Sequence, residues 1–398
     1  MGKILKSLPV RLLLGLVIGI AIGLYASPSV MTVIVTLKYK MGQLINFCVP
    51  LIIIGFIAPS ITKLGASASR MLTVALILAY VSSICAAFIS VIAGYALIPG
   101  LNIVSNVEGL RALPDVAFQL NIPQIMPVMS ALVFSVLIGL AAVWTKAKVI
   151  TMVLDEFQKI VLKVVTNIVI PVLPFFITST FACLAYDGSI TGQFPVFVKV
   201  ILIVMVGHYL WLAVLYCLGG AYAGENPLEV LKHYGPACIT AVGTMSSAAT
   251  LSVALSCARK SKVLRSDMVD FGIPLFANIH LCGSVLTETF FVMVVSKILY
   301  GGLPTVSSMV LFALLLGIFA IGAPGVPGGT VMASLGLIIS VLGFDATGTA
   351  LMLTIFALQD SFGTACNVTG DGALTLMLTG YAKRHGIKEE HIEAVNLF

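Results

Sequence analysis

The sequence predicts an all-α polytopic membrane protein, with eight transmembrane helices and two re-entrant helical hairpins. Three observations carry this. Of 398 residues, 59% are hydrophobic and only 10% charged, against about 25% charged in an ordinary soluble domain. Mean hydropathy is +1.11. Stretches free of Asp, Glu, Lys and Arg recur at 12–37, 41–62, 71–107, 116–145, 200–224, 233–258 and 298–344, each reaching the roughly 20 apolar residues that a spanning helix needs. Such a composition excludes a soluble enzyme, a disordered chain and a nucleic-acid module. No nucleophile–base pair, HExxH-like motif or ATP-binding loop stands at usable spacing, so neither an enzyme nor a hydrolysis-driven pump is expected.

At the N-terminus, Lys3, Lys6 and Arg11 precede an apolar run from Leu12 to Ala26. It has the form of a signal-peptide core but continues past Pro28 to Leu37 without a charge, so it reads as a first spanning helix. Further helices are expected over 39–62, 70–98, 126–147, 151–186 and 192–222, after a first at 8–27. The stretch 298–344 is twice the length of one span and is interrupted by Gly322, Pro324, Gly325, Pro327, Gly328 and Gly329. Proline removes a donor and glycine weakens a helix, whereas two half-length helices meeting at a Gly/Pro tip accommodate the cluster. Irregular backbone at membrane depth survives only inside protein or beside a watery cavity, so 304–343 reads as a re-entrant hairpin. The small, polar centre Gly243–Thr250 makes 226–260 a second one. Each hairpin is followed by a helix with polar residues at depth: 266–297 with Asn278, His280, Ser284 and Glu288, and 346–382 with Gln359, Asp360, Asn367 and Asp371. Interrupted segments at corresponding places in two halves point to a transporter binding site.

Charge placement sets the topology. Segments 1–11, 63–70, 146–163, 225–265 and 383–398 hold 17 of the 22 basic residues, which places them and both termini on the cytoplasmic side. The net charge of +6 therefore reflects sidedness and not an acidic partner. The tail from Lys383 reads as a short solvated helix. Eight cysteines stand singly in apolar runs, with neither disulfide nor zinc spacing, and read as small buried hydrophobes. His208 and Trp211 read as packing or interfacial residues, and the Gly/Ala pattern of the first helix as close helix contact.

Asn367-Val368-Thr369-Gly370-Asp371, preceded by Asp360 and Thr364, resembles the last-helix motif of the dicarboxylate/amino acid:cation symporters, the glutamate-transporter homologues. Gly325-Val326-Pro327-Gly328-Gly329 is similar to that family's second hairpin tip. Thr244-Met245-Ser246-Ser247 is similar to its serine-rich first hairpin, and Ile273-Pro274-Leu275 to the approach to its unwound seventh helix. The resemblance runs from about residue 8 to 384. It implies a homotrimer embedded in the bilayer and moving a small-molecule substrate, with no nucleic-acid partner and no cofactor beyond a coupling cation, H+ and/or Na+. It implies scaffold segments 1–69 and 126–190, transport segments 70–125 and 191–384, and a tail at 385–398. The transport segments would slide as an elevator, with the second hairpin as extracellular gate.

The resemblance also implies a substrate site of Ser246, Ser247, Ser284, Gly325, Val326, Pro327, Gly328, Asp360, Gly363, Thr364 and Asn367. Asp360 aligns with the residue that holds the substrate ammonium, a charge-assisted pairing. Asn367, Ser247 and the hairpin-tip N–H groups would hold the α-carboxylate. The chain departs from the family in its seventh helix, where His280-Leu281-Cys282-Gly283-Ser284 replaces the usual Asn-Met-Asp-Gly-Thr. Hard cations want oxygen ligands, so one sodium site is expected to be missing, while another using Asn367 and Asp371 stays open. Glu288 stands where proton-coupled relatives carry a glutamate, and an intramembrane acid is a functional residue by default. His280 lies eight residues earlier, about two helical turns away on a similar face, and titrates near neutrality when unperturbed. Both are candidates for proton coupling. No arginine occurs between Arg265 and Arg384, so a second substrate carboxylate lacks its usual partner. Gly363 replaces an arginine found in acidic-amino-acid carriers, which opens space. A small neutral amino acid is the expected substrate. Acidic amino acids or C4-dicarboxylates are the alternative, and a channel-like protein is a further one.

Overall fold

The computed structural model describes residues 8–66, 70–101 and 111–387. Lys3, Lys6 and the part of the expected tail helix from residue 388 onward lie outside the described residues. The architecture is all-helical, with no strand among the described residues. Helices α1 (Leu8–Tyr25) and α2 (Pro28–Ala66) are followed by α3 (Arg70–Leu97), α4 (Val128–Trp144), α5 (Lys148–Val164), α6 (Ile170–Tyr186) and α7 (Ser189–Ala223). The first hairpin is α8 (Leu228–Leu231), α9 (Gly235–Thr244) and α10 (Ser247–Ala258). After α11 (Ser266–Ile279) and α12 (Cys282–Tyr300), α13 (Val306–Gly322) and α14 (Gly329–Leu342) make the second hairpin, and α15 (Ala346–Arg384) closes the fold.

Both hairpins fall where the Gly/Pro and Ser/Thr clusters put them. Two other boundaries differ from expectation. The second helix begins at Pro28 and not at 39. Proline suits a first helical turn, and the lysines that mark a boundary in the sequence are accommodated on the helix surface: Lys40 donates to the Leu120 carbonyl at 3.1 Å and lies 4.6 Å from the Phe118 ring centroid. The expected single helix at 151–186 is divided by a wide five-residue turn, Val165–Val169, ahead of Pro171 and Pro174. Each proline withholds one backbone donor, and the wider turn absorbs the misfit.

Packing sorts the helices into two groups. In one, α1 lies on α6, and α2 on α4, α5 and α6; in the other, α15 packs on α7, α9, α11 and α12, while α12 and α13 pack on α3. The first-helix glycines are contact points, since a Cβ at Gly19 would stand 2.4 Å from the Thr178 carbonyl oxygen and one at Gly23 2.2 Å from that of Ala182. Among the described residues, five stretches are long and apolar enough to cross a membrane: Pro28–Pro59, Arg70–Leu101, Lys148–Tyr186, Val196–Ala223 and Ser266–Tyr300. The hairpin helices are shorter, and α9, α10 and α14 among them pack on α15. The cysteines are all free; Cys85 and Cys217 are exposed, so they are not uniformly the buried hydrophobes expected.

Candidate functional site

The site forms where both hairpin tips and the interruption between α11 and α12 converge on α15. The first tip turns at Met245, which adopts a left-handed conformation (φ 54°). Ser246 then caps α10, its Oγ accepting from Ala249 N at 3.1 Å, as serine does at helix starts. The same hydroxyl donates to the Gly325 carbonyl at 2.6 Å, and Ala248 N donates to that carbonyl at 3.2 Å. The two tips are thus stitched together through Gly325.

The second tip is built from backbone. Val326 N donates to Pro324 O at 2.8 Å and Gly329 N to Val326 O at 2.9 Å; Pro327 is half-buried. Gly328 needs its positive φ of 70° to start α14, a conformation that glycine adopts without steric cost. Its N–H donates to Asp360 Oδ2 at 2.7 Å. The other oxygen of Asp360 has only the hydroxyl of Thr364, at 3.5 Å. Asp360 is 3% exposed, so one oxygen of a buried carboxylate is held loosely beside the tip of the second hairpin. Ser247 is buried next to the first tip, with no partner for its hydroxyl.

The interruption at His280–Leu281 is organised by α15. Asn367 Oδ1 accepts from Gly283 N at 2.7 Å and Ser284 N at 3.2 Å, and its amide donates to Ser284 Oγ at 2.9 Å. Its side chain caps the start of α12, which is where a helix leaves N–H groups unpaired. Gly363 sits against this start, a Cβ there lying 3.4 Å from Ser284 Cα and N. Its small size is therefore met by the Ser284 backbone. Gly283 is the tighter position, since its Cβ would lie 2.5 Å from both Cys366 Cβ and the Gly363 carbonyl.

His280 and Glu288 do not share a face. The expectation of a similar face two turns apart fails because the helix ends at Ile279 and restarts at Cys282, with His280 extended between them (φ −116°, ψ 94°). His280 Nδ1 pairs with Asp371 Oδ1 at 2.9 Å and Nε2 with Ser82 Oγ of α3 at 2.8 Å. Glu288 instead accepts a hydrogen bond from Ser334 Oγ of α14, while its Oε2 has no partner. Both residues are fully buried. The oxygens expected at a sodium site are largely engaged: Asn367 Oδ1 carries two donors and Asp371 Oδ1 the imidazole, leaving Asp371 Oδ2 unpartnered. Among the described residues no group of three or more His, Cys, Asp and Glu is arranged to hold a metal ion.

Sequence reasoning missed three participants. Ser82 and Ser334 are serines in apolar helices, visible only as polar interruptions. His208, read as a packing residue, reaches the Gly283 carbonyl with Nε2 at 3.1 Å.

Hairpin tips joined over a buried carboxylate, beside an interrupted helix, define a membrane transporter rather than an enzyme. The family model of the sodium:dicarboxylate symporter family matches residues 8–380. The chain belongs to that family. It is 27% identical over 156 residues to a putative sodium-dependent excitatory amino acid transporter of Caenorhabditis elegans, covering 39% of this chain and 31% of the relative. Over 215 residues it is 25% identical to excitatory amino acid transporter 1 of Homo sapiens, covering 52% and 38%. Over 200 residues it is 24% identical to the neutral amino acid transporter B(0) of Macaca fascicularis, covering 50% and 36%. The matches span less than two-fifths of these relatives' own lengths.

Proposed function

We propose that this chain is a secondary active transporter that carries a small neutral amino acid together with a proton. Segments 70–125 and 191–384 move as an elevator against 1–69 and 126–190, within a homotrimer whose termini are cytoplasmic. The observation that supports this most is the half-satisfied carboxylate of Asp360 in a chain with no arginine between Arg265 and Arg384. A substrate ammonium takes the loosely held Oδ1, a strong charge-assisted bond. The starts of α10, α12 and α14 surround the same region, and their positive ends favour the α-carboxylate. Ser247 offers it an unpartnered hydroxyl. Because Asn367 is committed to Gly283 and Ser284, its role is to shape the helix start that receives the substrate. A side-chain carboxylate would remain unpaired in a dry site, which costs several kcal/mol.

Glu288 carries the proton in this reading. It has one free oxygen, full burial, and a partner on α14, so its protonation state bears on how the second hairpin packs. His280 holds Asp371 and Ser82 together. Transport of acidic amino acids is the second reading, favoured by the relatives named excitatory amino acid transporters; the hairpin backbone would then replace the missing arginine.

Uptake into proteoliposomes separates these readings. Alanine and serine are expected to accumulate down an imposed proton gradient, without sodium, and aspartate and succinate not to. Glu288→Gln is expected to remove the pH dependence of uptake while substrate still binds. Sodium-dependent uptake of aspartate, with an unaltered pH profile in Glu288→Gln, would sink both the substrate and the coupling assignment.

A further inference from the structure

Two fully buried side chains carry polar atoms without partners, and the helix register sets them opposite each other. On α12 the atom is Glu288 Oε2; on α15 they are Oε1 and Nε2 of Gln359. Both residues are 0% exposed. The register follows from contacts on either side. A Cβ at Gly363 would lie 3.4 Å from Ser284 Cα and N, and at the far end of α12 Tyr300 Oη donates to Asp345 Oδ1 at 2.8 Å. Residue numbers fall along α15 as they rise along α12, so the two helices run antiparallel. Glu288 lies about one turn past Ser284, and Gln359 about one turn before Gly363. Side chains four residues apart share a helix face, so the pair occupies one level of the α12–α15 contact.

The other groups around this level are engaged. The second oxygen of Glu288 accepts from Ser334 Oγ of α14. Of the helices packed on α12, α13 and α14 bring no ionisable side chain. On α3, Arg70 donates to Tyr381 Oη, Tyr80 and Tyr95 donate to the Leu314 and Pro304 carbonyls, and Cys85 is exposed. On α7, Lys199 is exposed and His208 is bonded to Gly283 and Thr287. On α15, Asp360 holds the Gly328 N–H and Asp371 holds His280. Gln359 is left as the amide that can answer Glu288.

We propose that Gln359 is a positioning residue for the proton on Glu288. The inference rests on the assignment of Glu288 as the proton carrier. A primary amide offers an acceptor oxygen and two donor hydrogens. When protonated, Glu288 donates through Oε2 to Gln359 Oε1; when ionised, it accepts from Gln359 Nε2. The amide turns over between the two states and neither gains nor loses a proton, which leaves and returns on Glu288 alone. Gln359 directly precedes Asp360, and α14 with its tip is tied to both carboxylates, to Glu288 through Ser334 and to Asp360 through Gly328. The turn of the amide therefore bears on the residue assigned to the substrate ammonium.

The test measures uptake by proteoliposomes of the full chain across pH, with the amino acid that they accumulate. Gln359→Met keeps the length of the side chain and loses both amide atoms. The ionised carboxyl then loses a charge-assisted hydrogen bond, and the protonated one loses a weaker neutral bond. The proton is held to higher pH, and the midpoint of the profile is expected to rise by about one unit. In a Glu288→Gln background the same substitution should leave the profile flat. The exchange Glu288→Gln/Gln359→Glu keeps the two groups in reversed places and is expected to restore the pH dependence that Glu288→Gln loses. A Gln359→Met protein with the wild-type midpoint, its rate lowered alike at every pH, would overturn the inference and leave Gln359 a packing residue. Should that variant fail to fold, the folded exchange variant decides: a restored profile supports the pair, and a flat one overturns it. An unaltered profile in Glu288→Gln alone would instead overturn the proton assignment itself, and this inference with it.

Discussion

The two hairpin–helix halves share a plan and differ at every point where the chain is interrupted. The first tip is closed by a side chain, with Ser246 capping α10 and reaching Gly325; the second is closed by its own backbone and tied down through Gly328 N–H to Asp360. The helix after the first hairpin stops at Ile279 and resumes at Cys282, while α15 runs unbroken for 39 residues. The interruption leaves N–H groups and an extended histidine inside the protein, and the unbroken helix carries the Asn and Asp side chains that satisfy them. At this interruption α12 supplies the backbone donors Gly283 N and Ser284 N, and α15 supplies their acceptor, Asn367 Oδ1. The site exists because the halves are not alike.

The comparison can be broken at four places, in falling order of effect. Asp371→Ala strands His280 without its carboxylate. Removing one partner of a buried pair costs about 3–5 kcal/mol, read as a large drop in Tm of the purified protein. The double variant His280→Ala/Asp371→Ala should recover part of that loss, and additive losses would show that the two do not act as a pair. Gly283→Ala pushes a methyl into Cys366 and the Gly363 carbonyl. Overpacking of this kind costs about 1–3 kcal/mol, whereas Gly363→Ala, in ordinary contact with Ser284, should be close to neutral in the same assay. Asp360→Ala removes the ammonium acceptor. Amino-acid affinity should fall about tenfold to a hundredfold, the worth of a charged hydrogen bond, and calorimetric titration showing unchanged affinity would remove Asp360 from the pocket. Ser246→Ala deletes the cap and the stitch between tips. A loss of about 0.5–2 kcal/mol is expected, with faster proteolysis at the tips, while Ser246→Thr should retain most of the stability.

Much of this was legible beforehand, because hairpins and polar helices leave compositional marks. Pro324, Pro327 and the surrounding glycines cannot continue a helix, and Gly243–Thr250 cannot face lipid, so both tips were visible. The helix interruption was less so. Residues 266–297 are apolar with scattered polar positions, and only the family resemblance implies unwinding, so eight-residue spacing alone puts Glu288 and His280 on a similar face. The start of α2 lies upstream of the expectation because two lysines read as a membrane boundary, although half-buried lysines on a helix surface do not end a helix. The partners Ser82, Ser334 and His208 were not legible, because each meets its target across tens to hundreds of residues of chain, and a lone polar residue in an apolar run carries no address.

Ligand-induced thermal stabilisation of the purified chain tests the central claim most directly, with alanine, serine, aspartate and succinate each applied with and without sodium at two pH values. A ligand that binds only the folded state at 100 times its Kd adds about 2.7 kcal/mol. The account predicts stabilisation by alanine or serine that is indifferent to sodium, depends on pH, and disappears in Asp360→Ala. Stabilisation by aspartate or succinate that requires sodium and survives in Asp360→Ala would contradict it.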